Sequence, residues 1–323
     1  MLKKGRNMKL SFIIPVYNRE KTIERVLNSI REQLDNDIEI IVINDGSTDK
    51  TDIIVNSYIE KYKCNISYYK KENEGVAATR NFGIMHAKGE YVMFVDSDDY
   101  IENDFIEKVK KYLKEDYDVI KFKAKCVDEE NHNIISKIDG PVFEKETGED
   151  GFNKLVFIDN LIDSPCVYIL KKELFIKNNL FFRVGTEHED FGLIPLILVL
   201  AKSMISLDIY GYNYVQTDNS ITRNSSYEKT IKKFEDVLLH YDNMIQFIEK
   251  NALKQETKEN IKTYYTNAVL LKLETIEKKD RKKYCKQIKE RKMIKNIKPK
   301  NLKQLLKRIL LTVNINLYIK FRK

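Results

Sequence analysis

Short apolar runs alternate with longer helical patterns through the first hundred residues of this 323-residue chain. Four runs have strand character, at Leu10–Ile14, Ile38–Ile43, Ile66–Tyr69 and Tyr91–Val95. Three intervening segments are long enough for a helix and carry spaced apolar positions, at Glu20–Leu34, Asp49–Tyr62 and Val76–Ala87. This alternation predicts βαβ units and an α/β fold whose sheet carries helices on both faces.

Polar segments that contain acids follow three of the four predicted strands. The first strand runs into Pro15–Asn18, the second into Asn44–Asp49 and the fourth into Asp96–Asp99. Because ligands of such sheets bind at the carboxyl ends of the strands, we expect these segments to converge on one site. The sequence contains neither GxGxxG nor GxxxxGK(S/T), so a glycine loop of the dinucleotide-binding or P-loop kind is not expected.

Asp96 and Asp98 form the strongest local signal for chemistry. They stand two residues apart, directly after the apolar run Val92–Val95. Two carboxylates held where a buried strand ends can share a divalent cation and the diphosphate bound to it. An acid-rich turn is also common as a solvated loop or a helix cap, but such a loop does not need a buried strand before it.

The composition is that of a globular protein, with 42% hydrophobic and 33% charged residues. The four cysteines are far apart and lack CxxC spacing, so neither a zinc site nor a disulfide framework is expected. No apolar run reaches the length of a membrane-spanning helix, and the apolar run near the start is too short for a signal peptide. We therefore expect a cytoplasmic protein.

Helical periodicity dominates after residue 226. Apolar residues at spacings of three and four predict one amphipathic helix over Ile231–Ile248, and a second helix is expected over Lys258–Ile276. We therefore divide the chain into a catalytic domain, residues 1–225, and a helical C-terminal region, residues 226–323.

The charge is distributed unevenly, because residues 278–323 carry 18 Lys and Arg against Asp280 and Glu290. This segment is +16 in a chain of +8, which leaves −8 on residues 1–277. Within a basic tail over residues 299–323, an apolar stripe lies opposite lysines and an arginine: Leu302, Leu305, Leu306, Ile309, Leu310 and Val313. The pattern is typical of a helix in an anionic membrane interface, and equally of a helix packed against the rest of the protein.

Four segments in order carry a resemblance to a known family: Ser11–Asn18, Val42–Asp49, Asn73–Asn81 and Gly89–Asp99. They resemble the glycosyltransferase family 2 enzymes, which have the GT-A fold, a Rossmann-like mixed sheet flanked by helices. The likeness covers the first hundred residues and continues more weakly to about Arg223. It implies inverting transfer of a sugar from a nucleotide diphosphate donor, with a divalent metal, Mn²⁺ or Mg²⁺, as cofactor.

The resemblance also implies residue roles on the donor side. Asp45 would accept a hydrogen bond from the base, in keeping with an acceptor-only carboxylate, although an Asp before Gly46 also stabilises turns. Pro15 and Tyr17 would line the base pocket. The remaining implied donor and metal residues are Asn73 and Arg80 as a donor-binding pair, Asp96 at the ribose or donor sugar, and Asp98 at the metal.

Asp190 is the candidate general base, because its setting in Thr186–Asp190 resembles the family's Glu-Asp motif. An inverting transfer needs a base that deprotonates the acceptor hydroxyl. Glu189 and Asp190 can equally cap the apolar helix predicted over Phe191–Ala201, and both roles are compatible. Ser220 and Arg223, in a segment that resembles the family's closing loop, are candidates for phosphate contact.

These inferences predict a glycosyltransferase that uses a UDP-hexose or UDP-N-acetylhexosamine and a lipid-linked oligosaccharide acceptor for capsule, O-antigen or exopolysaccharide. The basic tail would hold the enzyme peripherally at the inner face of the cell membrane. Two alternatives stay open, a non-catalytic partner subunit of the same fold and a nucleic-acid binder that uses the tail. The tail lacks interleaved stacking aromatics, so nucleic acid is not expected as a partner.

Overall fold

A computed structural model describes residues 9–216, 226–299, 302–313, 315 and 319 of the chain. Its strands are β1 Leu10–Val16, β2 Ile38–Asp45, β3 Ile66–Lys71, β4 Tyr91–Phe94, β5 Tyr100–Ile101, β6 Val119–Asp128, β7 Ile134–Ile138, β8 Phe143–Glu146, β9 Tyr168–Lys171 and β10 Met204–Gln216. Its helices are α1 Ile23–Arg31, α2 Thr51–Tyr62, α3 Val76–His86, α4 Phe105–Lys114, α5 Gly148–Leu155, α6 Glu173–Asn178, α7 Ile194–Leu200, α8 Tyr227–Lys250, α9 Gln255–Leu273, α10 Lys278–Glu290 and α11 Leu302–Val313.

The strands form one mixed sheet in the order β3-β2-β1-β4-β9-β6-β10-β5, with β7 on β6 and β8 on β10. The predicted parallel core is confirmed, since β1 lies between β2 and β4 and is parallel to both. β9 is antiparallel to its neighbours β4 and β6, and β10 returns parallel to β6. The carboxyl ends of β1, β2 and β4, which the three polar segments follow, therefore lie along one edge of the sheet. The carboxyl end of β10 lies along the same edge.

Burial on both faces explains the apolar runs of the central strands. Every residue of β1, β2 and β4 is buried, as expected for strands covered by helices on each side. Helix α1 packs Ile23, Val26, Leu27 and Ile30 into this core. The predicted α/β architecture followed by a helical C-terminal region is confirmed.

Several elements differ from the sequence prediction. The polar stretch before Asp150 holds β7 and β8, short strands at the margin of the sheet whose exposed faces give no apolar pattern. Helix α7 begins at Ile194 rather than Phe191, because Pro195 occupies its first turn and the preceding residues form a turn. The lysine-rich segment after residue 277 forms α10, which buries only Tyr284, Cys285 and Ile288.

The last helix packs with one face and exposes the other. Leu311 in α11 is fully buried, whereas the stripe Leu302, Leu305, Leu306, Ile309 and Val313 is between 42% and 72% exposed. Within the described ranges, no helix combines the length and hydropathy needed to cross a bilayer.

Gly83 lets helix α3 approach strand β1 closely. A Cβ atom at this position would lie 2.4 Å from Cγ2 of Ile13 and 3.1 Å from Cδ1 of Ile43. Both isoleucines are fully buried, so neither can move aside without disturbing the core. The contact matters for the site because Arg80 lies one turn before Gly83 on the same helix.

We expect Gly83→Ala to lower the free energy of unfolding by about 1–3 kcal/mol, because overpacking outweighs the better helix propensity of alanine. Urea unfolding followed by circular dichroism measures the change. Met85→Ala, on the exposed side of the same helix, serves as the control and should change it by less than about 0.5 kcal/mol. Equal stability of Gly83→Ala and the wild type would contradict the close approach.

Candidate active site

The loops after β1 and β2 are joined by hydrogen bonds at the carboxyl edge of the sheet. The backbone N–H of Asn18 donates to Oγ of Ser47 at 2.9 Å, and the N–H of Thr48 donates to Oδ1 of Asn18 at 2.8 Å. Asn18 itself has a left-handed backbone with φ of 51°, a conformation that asparagine tolerates better than most residues. The two loops therefore form one surface.

Asp45 is buried at the end of β2 and holds the segment that leads into α3. Its carboxylate accepts hydrogen bonds from the backbone N–H groups of Glu74 at 3.0 Å and Gly75 at 2.8 Å, and from the ammonium of Lys71. Gly46, with φ of 74°, allows this segment to pass so closely that a Cβ would lie 2.9 Å from the N atom of Asn73. The turn-stabilising role of Asp45 is thus visible, and a carboxylate has room for a further donor.

Three other residues that are predicted to bind the donor nucleotide lie in different surroundings. Pro15 is buried within β1, while Tyr17 is 46% exposed just beyond that strand. Asn73 is exposed and lines an open hollow of about 600 Å³ together with Gly46, Ser47 and Lys71. The structure therefore places Asn73 in this hollow, whereas Asp45, Pro15 and Tyr17 do not line it.

Arg80 is buried and bridges two carboxylates from distant parts of the chain. Its Nη2 donates to Oδ1 of Asp96 at 2.9 Å, and its Nη1 donates to Oε1 of Glu189 at 2.6 Å. Burial alone would lower the pKa of Arg80, but the charges of Asp96 and Glu189 outweigh it and raise the pKa. Burial also raises the pKa of Glu189, against the opposing effect of Arg80. Asn81 fixes the next loop by exchanging two hydrogen bonds with the backbone of Phe182.

The three aspartates after β4 have separate partners. Asp98 contacts Nη2 of Arg19 at 3.2 Å, and its carbonyl accepts a hydrogen bond from Arg25. Asp99 is buried and accepts from the Tyr212 hydroxyl and from the N–H of Val215, both at 2.8 Å, so it ties this loop to β10. Burial, followed by the nearby charges of Asp96 and Asp98, raises the pKa of Asp99 well above its ordinary value.

The side chains of Asp96 and Asp98 fit a divalent cation. They are 34% and 39% exposed, and each uses one carboxylate oxygen for its arginine, which leaves the other oxygen open among the described residues. Within that part of the chain, no cluster of three or more His, Cys, Asp or Glu forms a metal site. The protein alone thus offers one or two carboxylates, which is the number that Mg²⁺ sites use when phosphates and water complete the shell.

Asp190 lies in the turn that leads into α7. One carboxylate oxygen accepts the N–H of Phe191 at 2.7 Å, and its carbonyl accepts the N–H of Ile194 at 2.8 Å. The helix-start role is therefore present. The second carboxylate oxygen has no hydrogen bond within the described residues, so it is available for a proton. Ser220 and Arg223 lie outside the described residues.

Sequence reasoning missed two of the contacts that organise this site. The sequence places Glu189 in the Glu-Asp motif and at a helix start, but it does not predict that Glu189 binds Arg80. It gives no expectation for Arg19, which contacts Asp98. The acid-rich motif around Glu189 was the only available signal, because the pairing joins residues 109 positions apart.

Comparison with known proteins identifies relatives of this chain. The minor teichoic acid biosynthesis protein GgaB of Bacillus subtilis is 31% identical over 68% of this chain and 24% of its own length. The glycosyltransferase GlyG of Streptococcus pneumoniae is 30% identical over 66% of this chain and 73% of its own. The chain thus spans about a quarter of GgaB but most of GlyG.

The poly(ribitol-phosphate) β-N-acetylglucosaminyltransferase TarS of Staphylococcus aureus is 38% identical over 37% of this chain and 22% of its own length. A crystal structure of TarS residues 1–349 with UDP-GlcNAc has a TM-score of 0.72, at 24% identity over 97% of this chain and 90% of that one, which shows the GT-A fold. The family described as glycosyl transferase family 2 matches residues 11–177. The chain belongs to glycosyl transferase family 2.

Proposed function

We propose that the protein is an inverting glycosyltransferase that moves a sugar from a UDP-sugar to a hydroxyl of a cell-surface glycan. The observation that supports this most is the pair of hydrogen bonds from Arg80 to Asp96 and to Glu189. They join the aspartate turn after β4 to the turn that carries Asp190. Family membership supports the reaction class. The names of GgaB and TarS refer to teichoic acid and poly(ribitol phosphate), which supports a surface glycan as the product.

On the donor side, Asn73 lines the hollow beside β2, and Asp45 holds the segment that follows Asn73. These two residues would face the ribose and the uracil. Asp96 would accept hydrogen bonds from the donor hydroxyls. Asp98 would hold a divalent cation, Mn²⁺ or Mg²⁺, which supplies positive charge to the leaving diphosphate when it is bound. Arg80, already fixed by two carboxylates, keeps Asp96 in a single orientation.

On the acceptor side, Asp190 would take the proton of the attacking hydroxyl through its free oxygen. A cavity of about 530 Å³ lies between the segment after α6 and helix α8 and is lined by Glu189, by His240 and by several carboxamides: Asn178, Asn179, Asn243 and Gln246. Carboxamides both donate and accept hydrogen bonds, so this lining suits sugar hydroxyls.

The proposal is tested by measuring UDP release over a panel of UDP-sugars with Mn²⁺, with Mg²⁺ and with a chelator. We expect release from one donor, dependent on the metal. Asp190→Asn should lower turnover by about 100- to 10,000-fold, because it removes the base while preserving the shape of the side chain.

Asp208→Asn is the matched control, since Asp208 is an exposed carboxylate that pairs with Lys123. Its turnover should equal that of the wild type. Near-normal transfer by Asp190→Asn would contradict the assignment of the base. Binding of UDP without any turnover, with acceptor present, would favour the non-catalytic partner subunit.

We also propose that the exposed stripe of α11 binds an anionic membrane on the cytoplasmic side, where a lipid-linked acceptor would be found. The stripe lies within residues 278–323, which carry 18 Lys and Arg against two acids and so complement anionic headgroups. Confinement of enzyme and acceptor to one surface would raise their effective concentration.

The variant Leu306→Glu/Ile309→Glu should bind vesicles of phosphatidylglycerol and phosphatidylcholine at least about tenfold more weakly, because two apolar side chains no longer enter the interface. Cosedimentation measures the binding. Ile53→Glu/Ile176→Glu changes two exposed apolar residues elsewhere and should bind as the wild type does. Unchanged vesicle binding by the α11 variant would contradict the membrane role.

A further inference from the structure

The start of helix α1 and the loop before it hold the aspartate turn, residues 96–99, through three contacts. Nη2 of Arg19 contacts Oδ2 of Asp98 at 3.2 Å, and the Thr22 hydroxyl donates to the carbonyl of Ser97 at 2.7 Å. Arg25 of α1 donates to the carbonyl of Asp98. Two arginines therefore lie against the residue that is proposed to hold the cation.

Arg19 combines a fixed backbone with a loosely held side chain. Its backbone N–H donates to Oγ1 of Thr51 at 2.8 Å. Its Nη1 makes only long hydrogen bonds, to the carbonyls of Asn18 at 3.2 Å and Tyr17 at 3.4 Å, and its Nε has no partner among the described residues. The guanidinium can therefore exchange partners without moving the loop that carries it.

The ion pair of Arg19 differs from those of Arg80. The Arg80 side chain is 6% exposed and meets two carboxylates, at 2.6 and 2.9 Å. Arg19 is 28% exposed and meets one carboxylate at 3.2 Å, that of Asp98, which is itself 39% exposed. Ion pairs between groups that water can reach contribute little to stability. A ligand can therefore separate Arg19 from Asp98, whereas Arg80 stays with its two partners.

Arg19 and a divalent cation compete for the carboxylate of Asp98. Like charges that approach one carboxylate repel each other, and Arg25 adds a second positive charge at the same residue. The protein without its donor is therefore expected to bind a lone divalent cation weakly.

The donor diphosphate changes this balance because it is an anion. In the proposed function the diphosphate and Asp98 share one cation. A guanidinium that contacts Asp98 is then within reach of the phosphate oxygens, and its planar set of N–H groups matches them well. The charge that opposes the lone cation would thus favour the cation together with the nucleotide.

We propose that Arg19 makes the binding of cation and donor interdependent: it pairs with Asp98 in the free protein and with the donor diphosphate in the complex. This inference rests on the proposed transferase function and adds a residue to its donor site. Because such coupling is reciprocal, the nucleotide raises the affinity for the cation by the same factor as the cation raises the affinity for the nucleotide.

The test compares the full-length wild type with Arg19→Gln in two titrations. Electron paramagnetic resonance measures binding of Mn²⁺ alone, and we expect the variant to bind it about threefold or more tightly, because a nearby positive charge is gone. Calorimetry measures binding of UDP at saturating Mn²⁺, and we expect the variant to bind it about tenfold or more weakly, because hydrogen bonds between charged groups are lost. A purely structural role of Arg19 predicts weaker binding of both.

Three further variants serve as controls. Arg31→Gln removes a guanidinium of α1 that contacts Tyr58 and Glu32, and should leave both affinities within about twofold of the wild type. Asp98→Asn measures the Mn²⁺ that binds elsewhere on the chain. Arg19→Lys keeps the charge and should bind Mn²⁺ alone as weakly as the wild type does.

Unchanged affinity of Arg19→Gln for either ligand would overturn the proposal, and so would changes of both affinities in the same direction. Tighter binding of Mn²⁺ alone by Arg19→Lys, equal to that of Arg19→Gln, would show that charge is not the cause. Failure of the wild type to bind UDP would contradict the proposed transferase function, and the Mn²⁺ titration would then decide the competition at Asp98 on its own.

Discussion

The site depends on one buried cation. The guanidinium of Arg80 has almost no contact with water and lies between the carboxylate of Asp96, after β4, and that of Glu189, in the turn before α7. A buried charge without partners would be strongly unfavourable, so Arg80, Asp96 and Glu189 stabilise one another only as a set. This set joins helix α3, the aspartate turn and the loop of Asp190, which are far apart in the sequence.

The packing beneath Arg80 makes this geometry possible. Gly83 brings α3 against Ile13, and Phe182 lies under the guanidinium at 5.4 Å from its ring centre. Helices α8 and α9 hold the turn that carries Asp190, because Asp236 accepts the N–H of Glu187 and the Tyr265 hydroxyl donates to the carbonyl of Phe191. The C-terminal helices therefore position the turn that carries Asp190.

The sequence predicted the elements better than the contacts between them. The central strands could be predicted because burial on both faces demands continuous apolar runs, and the aspartate turn because acids directly after such a run are unusual. The marginal strands β7 and β8 could not, since their exposed residues carry no pattern. The partners of Asp45, Asp98 and Arg80 depend on tertiary approach, which neither spacing nor resemblance encodes. The donor, metal and base roles inferred by resemblance stay predictions for every residue concerned: Pro15, Tyr17, Asp45, Asn73, Arg80, Asp96, Asp98, Asp190, Ser220 and Arg223.

A double-mutant cycle on Arg80 and Glu189 tests the central claim most directly. The free energies of unfolding of Arg80→Gln, Glu189→Gln and the double variant are measured by urea denaturation. The account predicts a coupling energy of about 1–3 kcal/mol, because Arg80→Gln leaves the buried Glu189 without its cation and Glu189→Gln leaves Arg80 with Asp96 alone. Additive effects, with a coupling energy near zero, would contradict the claim that this pair holds the two halves of the site together.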